Sequence, residues 1–175
     1  MSPVAVLVGP PGAGKSTVGA LLAERLGVPF ADSDTLVEQR AGRAISDIFL
    51  SDGEPAFRAM ERDAVAEALA GHGGVLALGG GAVMTDGVRE LLDGHAVVFL
   101  AVGLAAGVRR VGLSTARPLL AGVNPRATFA ALLTERLPVY RSVARHEVAT
   151  DDLDPEAATE AVAAALQTVE AGRDR

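Results

Sequence analysis

Residues 9–16 have the types and spacing of a phosphate-binding loop, since they read Gly-Pro-Pro-Gly-Ala-Gly-Lys-Ser and match G-x-x-x-x-G-K-[S/T]. Glycines let the backbone curl so that its N–H groups point inward at an anion, and a following helix adds partial positive charge. Lys15 is placed to reach the β- and γ-phosphates of a nucleoside triphosphate, and Ser16 to bind Mg²⁺. The predicted nucleotide-binding residues of this segment are Gly12, Ala13, Gly14, Lys15, Ser16 and Thr17.

Lys15 is the only lysine among the 16 basic residues of the chain. A compositional bias of the source could explain this count, and it would also fit the high alanine content. Alternatively, lysine is present because arginine cannot replace it, since an ammonium group is compact and a guanidinium group is broad and planar. The sequence leaves both explanations open.

Asp32 and Asp34 form a second candidate group. Residues two apart on an extended segment point the same way, so both carboxylates can face the same edge of a sheet. One could support Mg²⁺, directly or through water, while the other could bind an acceptor hydroxyl and take its proton. Alternatively, one of them simply caps the following helix.

Short apolar runs alternate with segments of helical spacing, which predicts a parallel sheet covered on both faces. The predicted strands are 4–8, 28–31, 75–78, 97–100 and 147–149. The predicted helices are 15–26, 34–41, 45–50, 54–70, 86–92, 104–111, 126–144 and 155–169. Pro138 is expected to bend or divide one helix, and residues 112–124 are expected to form a mobile lid loop. The result is one three-layer α/β/α domain over residues 1–175, with about five strands in its sheet.

Composition excludes several classes of protein. The formal net charge of −6 argues against a general nucleic-acid-binding protein. The chain has no cysteine, which excludes disulfides, thiolate zinc sites and cysteine nucleophiles. No apolar run approaches the roughly 20 residues of a membrane span. We therefore expect a cytoplasmic monomer that binds neither nucleic acid nor membrane.

The nucleotide site alone does not separate an enzyme from a switch. A GTPase would need an Asn-Lys-x-Asp segment, and the only lysine already lies in the phosphate loop. A motor ATPase usually carries a strand that ends in Asp or Asp-Glu, and neither 75–78 nor 97–100 does. Small size and an arginine-containing loop favour a small-molecule phosphotransferase, which closes over its substrate and excludes water. A regulatory protein that binds ATP without turnover is the alternative.

The motifs together resemble those of the shikimate kinase family over residues 9–155. The resemblance implies a P-loop kinase fold, ATP as co-substrate, Mg²⁺, and phosphorylation of the 3-hydroxyl of shikimate on the route to chorismate and aromatic amino acids. Besides the phosphate loop, it is carried by Asp32-Ser33-Asp34, Phe57-Arg58 with Glu61, the glycine triplet Gly79-Gly80-Gly81, Arg117-Pro118-Leu119-Leu120, and Arg136 with Tyr140-Arg141.

The resemblance also implies roles for individual residues, with the substrate-binding region at about 32–62. Asp34 binds the hydroxyls of shikimate and is the candidate general base. Arg58 and Arg136 bind its carboxylate, because planar guanidinium groups bind carboxylates bidentately. The glycine triplet lies against the substrate. Lys15 and Arg117 stabilise the transferring phosphoryl group, Arg117 closing with the lid.

At the nucleotide, the resemblance implies that Asp32 joins Ser16 at the Mg²⁺ site. Arg110 and Pro155 are implied to lie near the adenine. Leu153 stands where relatives often carry a polar or basic residue that touches adenine, so the adenine contacts are expected to differ there.

Simpler interpretations remain for the substrate residues. Arg58 and Glu61 are spaced i, i+3 and could form a surface pair worth a few tenths of a kcal/mol. Arg136 could equally be a surface residue, and the glycine triplet a tight turn. A kinase for another polyol acid, such as gluconate, is the alternative within the same class.

Overall fold

The computed structural model of the chain describes residues 1–112 and 124–173, with side chains up to residue 168. Arg117 and nearly all of the predicted lid lie outside the described residues. Every predicted helix and strand is present within a few residues of its expected bounds. The strands are β1 Ala5–Val8, β2 Phe30–Asp32, β3 Val75–Ala77, β4 Val97–Ala101 and β5 His146–Ala149.

The helices alternate with these strands as predicted. They are α1 Lys15–Leu26, α2 Ser33–Ala41, α3 Ile45–Asp52, α4 Glu54–Gly71, α5 Val88–Leu91, α6 Leu104–Gly112, α7 Pro125–Val143 and α8 Pro155–Arg173. A short 3₁₀ turn, Ala82–Met84, was not predicted. Pro138 lies inside α7 and does not divide it. None of these described helices is long and apolar enough to cross a membrane.

The five strands form one parallel sheet in the order β2-β3-β1-β4-β5. The central strand β1 therefore delivers the phosphate loop to the middle of the carboxyl edge. In the register of β2 and β3, Asp32 pairs with Ala77, so the aspartates and the glycine triplet leave the sheet at the same level. Ligands of such sheets bind at this edge, next to the strand where the chain order reverses.

Helices bury both faces of the sheet, as the three-layer prediction requires. Leu7 of β1 belongs to a core cluster that includes Leu22 of α1 and Val162 of α8. Val6 belongs to a second cluster with Val65 of α4, on the opposite face. Because adjacent strand residues point to opposite faces, one short apolar strand holds both helical layers in place.

The phosphate loop packs tightly against the end of β4. Gly9 has φ +151°, and a Cβ atom there would lie 2.4 Å from the Leu100 carbonyl oxygen. Only glycine fits this combination of backbone conformation and close approach. The first glycine of the motif is therefore a packing requirement as well as a binding one.

Candidate active site

The phosphate loop ends in the first turn of α1. Gly14, in the left-handed conformation at φ 90°, precedes Lys15, whose side chain is 7% exposed. The Lys15 Nζ donates to the Pro10 carbonyl oxygen at 3.0 Å, so the ammonium group lies over the loop. A buried cation beside a curled backbone and a helix N-terminus is a site for an anion such as a phosphate.

Ser16 and Asp32 meet beside this loop. The Ser16 hydroxyl donates to Asp32 Oδ2 at 2.6 Å. Asp32 Oδ1 accepts from the Asp34 backbone N–H at 2.9 Å and so caps α2. The capping interpretation is thus confirmed, but the same carboxylate also reaches the phosphate loop.

The Ser16–Asp32 pair suits Mg²⁺, which prefers oxygen ligands and takes few from the protein. A hydroxyl and a carboxylate oxygen fit that preference. Within residues 1–112 and 124–173 there is no cluster of three or more His, Cys, Asp or Glu side chains that could hold a metal ion. The phosphates and water would therefore supply most of the ligands.

Asp34 lies against the first residue of the glycine triplet. A Cβ atom at Gly79 would lie 2.5 Å from Asp34 Oδ1 and 3.2 Å from Glu61 Oε1. The Gly79 N–H donates to the Ser33 hydroxyl at 2.8 Å, which ties the triplet to the start of α2. A side chain at Gly79 would displace the carboxylate, so the triplet does more than form a tight turn.

Arg58 forms a partly buried ion pair. Its Nη1 donates to Glu61 Oε2 at 2.8 Å, and the Arg58 side chain is 18% exposed while that of Glu61 is 1% exposed. A Cβ atom at Gly81 would lie 2.6 Å from Arg58 Nη2. The surface-pair interpretation is wrong, because Glu61 is buried and the guanidinium group faces the glycine triplet.

Burial raises the pKa of the Glu61 carboxyl, because a charged carboxylate loses hydration inside the protein. The Arg58 guanidinium and the Thr85 hydroxyl, 3.1 Å from Glu61 Oε2, oppose this effect. The neighbouring Asp34 carboxylate adds to it. Burial of the Glu61 carboxylate therefore costs free energy, while its ion pair with Arg58 holds the guanidinium group in place.

Glu61→Gln should change how stability depends on pH. A raised folded pKa means that the native state binds the proton more tightly than the unfolded state does. The contribution of Glu61 to the free energy of unfolding is thus largest below about pH 4.5, the unfolded value, and is lost as pH rises through the folded pKa. The free energy of unfolding of the wild type minus that of the variant should fall by at most about 1.4 kcal/mol per pH unit. Urea titrations at several pH values would measure this difference. A difference that rises with pH would contradict the burial argument.

Arg136 and Tyr140 are one turn apart on α7, so both side chains lie on the same side of the helix. The Tyr140 hydroxyl donates to the Gly80 carbonyl oxygen at 2.5 Å, so this side of α7 meets the glycine triplet. Arg136 is half-buried. Arg136 is thus one turn from a residue that bonds to the triplet, and its role at the site stays a prediction.

Arg110 connects the phosphate loop to the segment after β5. Its guanidinium donates to the Gly12 carbonyl oxygen at 3.1 Å and to the Thr150 carbonyl oxygen at 2.7 Å. The Leu153 N–H donates to that same Thr150 carbonyl, and Pro155 begins α8 two residues later. Arg110 thus joins the phosphate loop to the segment that leads to Leu153 and Pro155.

Sequence reasoning assigned no role to Ser33, Thr85, Tyr140 or Thr150, and each makes a hydrogen bond to a residue of the site. Ser33 separates the two aspartates, so strand alternation would point it away from them. Thr150 is 2% exposed and accepts from Arg110 at 3.1 Å. Ser33 and Tyr140 lie within motifs that carry the family resemblance, whereas Thr85 and Thr150 lie in no such motif.

The arrangement separates two functions along one edge of the sheet. One part has the form of a phosphate site around Lys15, and the other brings Asp34 and Arg58 together at the glycine triplet. A phosphate loop next to a carboxylate and a guanidinium group, both against a glycine triplet, defines a P-loop kinase for a small molecule.

Comparison with known proteins gives the family. The family model described as shikimate kinase matches residues 11–167. The shikimate kinase of Saccharopolyspora erythraea is 67% identical over 157 residues, 90% of each chain, and that of Thermobifida fusca is 58% identical over 94% of this chain and 95% of its own. The solved shikimate kinase of Acinetobacter baumannii in complex with shikimate has a TM-score of 0.89 at 36% identity, over 100% of this chain and 96% of its own. This chain belongs to the shikimate kinase family, and the expected P-loop kinase fold and transferase class are confirmed.

Proposed function

We propose that the chain transfers the γ-phosphoryl group of ATP directly to the 3-hydroxyl of shikimate, with no phosphorylated enzyme intermediate. The proposal rests above all on the contact between the two parts of the site. A Cβ atom at Gly80 would lie 3.1 Å from Pro11 Cδ, so the triplet touches the phosphate loop. An acceptor bound at the triplet would therefore lie beside the phosphates, which is the proximity that in-line transfer needs.

Shikimate offers a carboxylate and several hydroxyl groups. Arg58 is oriented by Glu61 at 2.8 Å and by Glu54 at 3.3 Å, which leaves the guanidinium group prepositioned against Gly81. Together with Arg136 of α7, it would bind the carboxylate through charge-assisted hydrogen bonds. Asp34 would bind a hydroxyl group and orient it towards the phosphate loop.

In the transfer step, the 3-hydroxyl oxygen forms a bond to the γ-phosphorus while the bond to the bridging β–γ oxygen breaks and ADP leaves. The proton of the hydroxyl passes to the Asp34 carboxylate. Lys15 and the backbone N–H groups of the loop stabilise the charge on the phosphoryl oxygens. Mg²⁺, when held by Ser16 and Asp32, would neutralise further charge on the β- and γ-phosphates. Arg117 is proposed to add a second cation from the lid.

Arg136→Ala should raise the KM for shikimate by about 10- to 100-fold, since a hydrogen bond to a charged group contributes about 1.5–3 kcal/mol. The KM for ATP should stay within about twofold, because the side of α7 that carries Arg136 and Tyr140 meets the glycine triplet. Arg141→Ala is a matched control on the same helix, because Arg141 is exposed and pairs with Glu147. Steady-state kinetics with each substrate varied would measure both. An unchanged KM for shikimate would show that Arg136 is a surface residue without a role in substrate binding.

An acceptor panel tests the proposed activity. ADP release would be followed with ATP and Mg²⁺ alone, with shikimate, and with gluconate. We expect turnover with shikimate and little with gluconate, because the chain belongs to the shikimate kinase family. Turnover with gluconate alone would favour the other kinase, and ATP binding with no acceptor-dependent turnover would favour a regulatory protein.

The remaining proposals concern the oligomeric state, the partners and the location of the protein. Action as a monomer of one domain stays a prediction. A net charge of −6 supports the absence of nucleic acid among its partners. Location in the cytoplasm and the absence of a membrane partner stay predictions.

A further inference from the structure

Tyr140 is a buried residue of α7 that contacts the glycine triplet. It is 1% exposed, and its hydroxyl donates to the Gly80 carbonyl oxygen at 2.5 Å. Its ring stacks on Phe99 of β4, with 5.1 Å between centroids and 25° between the ring planes. One side chain thus joins α7, the sheet and the glycine triplet.

The bond to Gly80 fixes more than one oxygen atom. The described residues contain no cis peptide bond, so the Gly80 carbonyl and the Gly81 N–H point in opposite directions from one planar unit. Holding the carbonyl therefore sets the direction of the Gly81 N–H. Glycine has no side chain to restrict its backbone, so this peptide needs an external contact to stay in one orientation.

The same two glycines contact the rest of the site. The Gly80 α-carbon lies against Pro11 of the phosphate loop, and the Gly81 α-carbon lies against the Arg58 guanidinium group. Arg136 is one turn before Tyr140 on α7. A shift of the Gly80–Gly81 peptide would therefore change where the triplet lies relative to the Arg58 guanidinium group and to the phosphate loop.

We propose that Tyr140 is a positioning residue for the acceptor site, which holds the Gly80–Gly81 peptide and so sets the triplet relative to Arg58 and Arg136. It acts through the backbone of the triplet and through α7. The proposal rests on the proposed function, since it assumes that the triplet binds shikimate.

Tyr140→Phe removes the hydroxyl and keeps the ring that stacks on Phe99. We expect the KM for shikimate to rise about fivefold to tenfold, the effect of one lost hydrogen bond on affinity. The KM for ATP should remain within about twofold. A hydroxyl with a purely structural role would instead lower the melting temperature and leave both KM values unchanged, which would overturn the proposal.

Ser142→Ala is the matched control, because it removes a hydroxyl from the same helix. The Ser142 Oγ donates to the Val139 carbonyl oxygen within α7, at 2.7 Å, and the residue is exposed. Its kinetic constants should equal those of the wild type. A rise in the shikimate KM as large as that of Tyr140→Phe would show a general effect of α7 and would contradict a specific role for Tyr140.

The chain offers a second test, because it has one tyrosine and no tryptophan. Its tyrosine fluorescence therefore reports Tyr140 alone. Titration with shikimate in the absence of ATP should change this emission, with saturation near the shikimate KM. If the wild-type protein phosphorylates shikimate but its tyrosine emission does not change on shikimate binding, the proposal for Tyr140 is contradicted. If the wild-type protein does not phosphorylate shikimate at all, the proposed function is overturned instead.

Discussion

Replacing Asp34 with asparagine should lower kcat about 10²- to 10⁴-fold, the usual effect of losing a general base. Asparagine has the same shape as aspartate, so it can keep the position against Gly79, where a Cβ atom would lie 2.5 Å from the carboxylate Oδ1. It cannot accept the proton of the 3-hydroxyl. The KM for ATP should stay within about twofold, because Asp34 lies against Gly79 of the triplet, whereas Lys15 and Ser16 belong to the phosphate loop.

Asp63→Asn provides the control for Asp34→Asn. Asp63 is on α4, is exposed, and pairs only with the adjacent Arg62 among its described ion pairs. The same chemical change there should leave kcat and both KM values unaltered. Steady-state kinetics and nucleotide titration of the two variants give the comparison. Turnover at the wild-type rate in Asp34→Asn would remove Asp34 from the mechanism.

Lys15→Arg should lower kcat/KM by about 10²-fold or more, although it keeps the positive charge. Lys15 is 7% exposed, and its Nζ is 3.0 Å from the Pro10 carbonyl oxygen. A guanidinium group is broader and planar, so it would push against this loop or miss the bridging position between the phosphates. Loss of activity in this variant separates shape from charge, which Lys15→Ala cannot do.

Arg25→Lys is the reverse exchange on the same helix. Arg25 lies in the last turn of α1, is 45% exposed and pairs with Glu160, so lysine should serve equally well there. Activity would be measured with saturating and limiting ATP for both variants. If Lys15→Arg keeps more than about a third of the wild-type activity, composition alone explains why the chain has a single lysine.

Local patterns are enough to predict the elements and the phosphate loop. The helical spacing over 15–26 and the glycine motif before it depend on neighbours in sequence, and α1 begins at Lys15 as expected. The strand order cannot be predicted in the same way. It depends on which distant strands pair, and β3 lies between β1 and β2 although it follows both in the chain.

The candidate site can be predicted by residue type more easily than by geometry. The i, i+3 spacing of Arg58 and Glu61 is the same for a surface pair and a buried pair, and only tertiary packing distinguishes them. The sequence allows Asp32 to be either a cap or a metal ligand, yet its two oxygens bond to the helix start and to Ser16 at the same time. Pro138 is expected to bend or divide α7, and α7 nevertheless continues through it as a single helix.

The central claim is that this chain makes shikimate 3-phosphate. The most direct measurement is to incubate it with ATP, Mg²⁺ and shikimate and to identify the product by phosphorus and proton NMR. We predict one phosphate ester, coupled to the proton on the carbon that bears the 3-hydroxyl, in equal amount to the ADP formed. ADP at no more than the rate without acceptor, with no phosphorylated shikimate, would contradict the account.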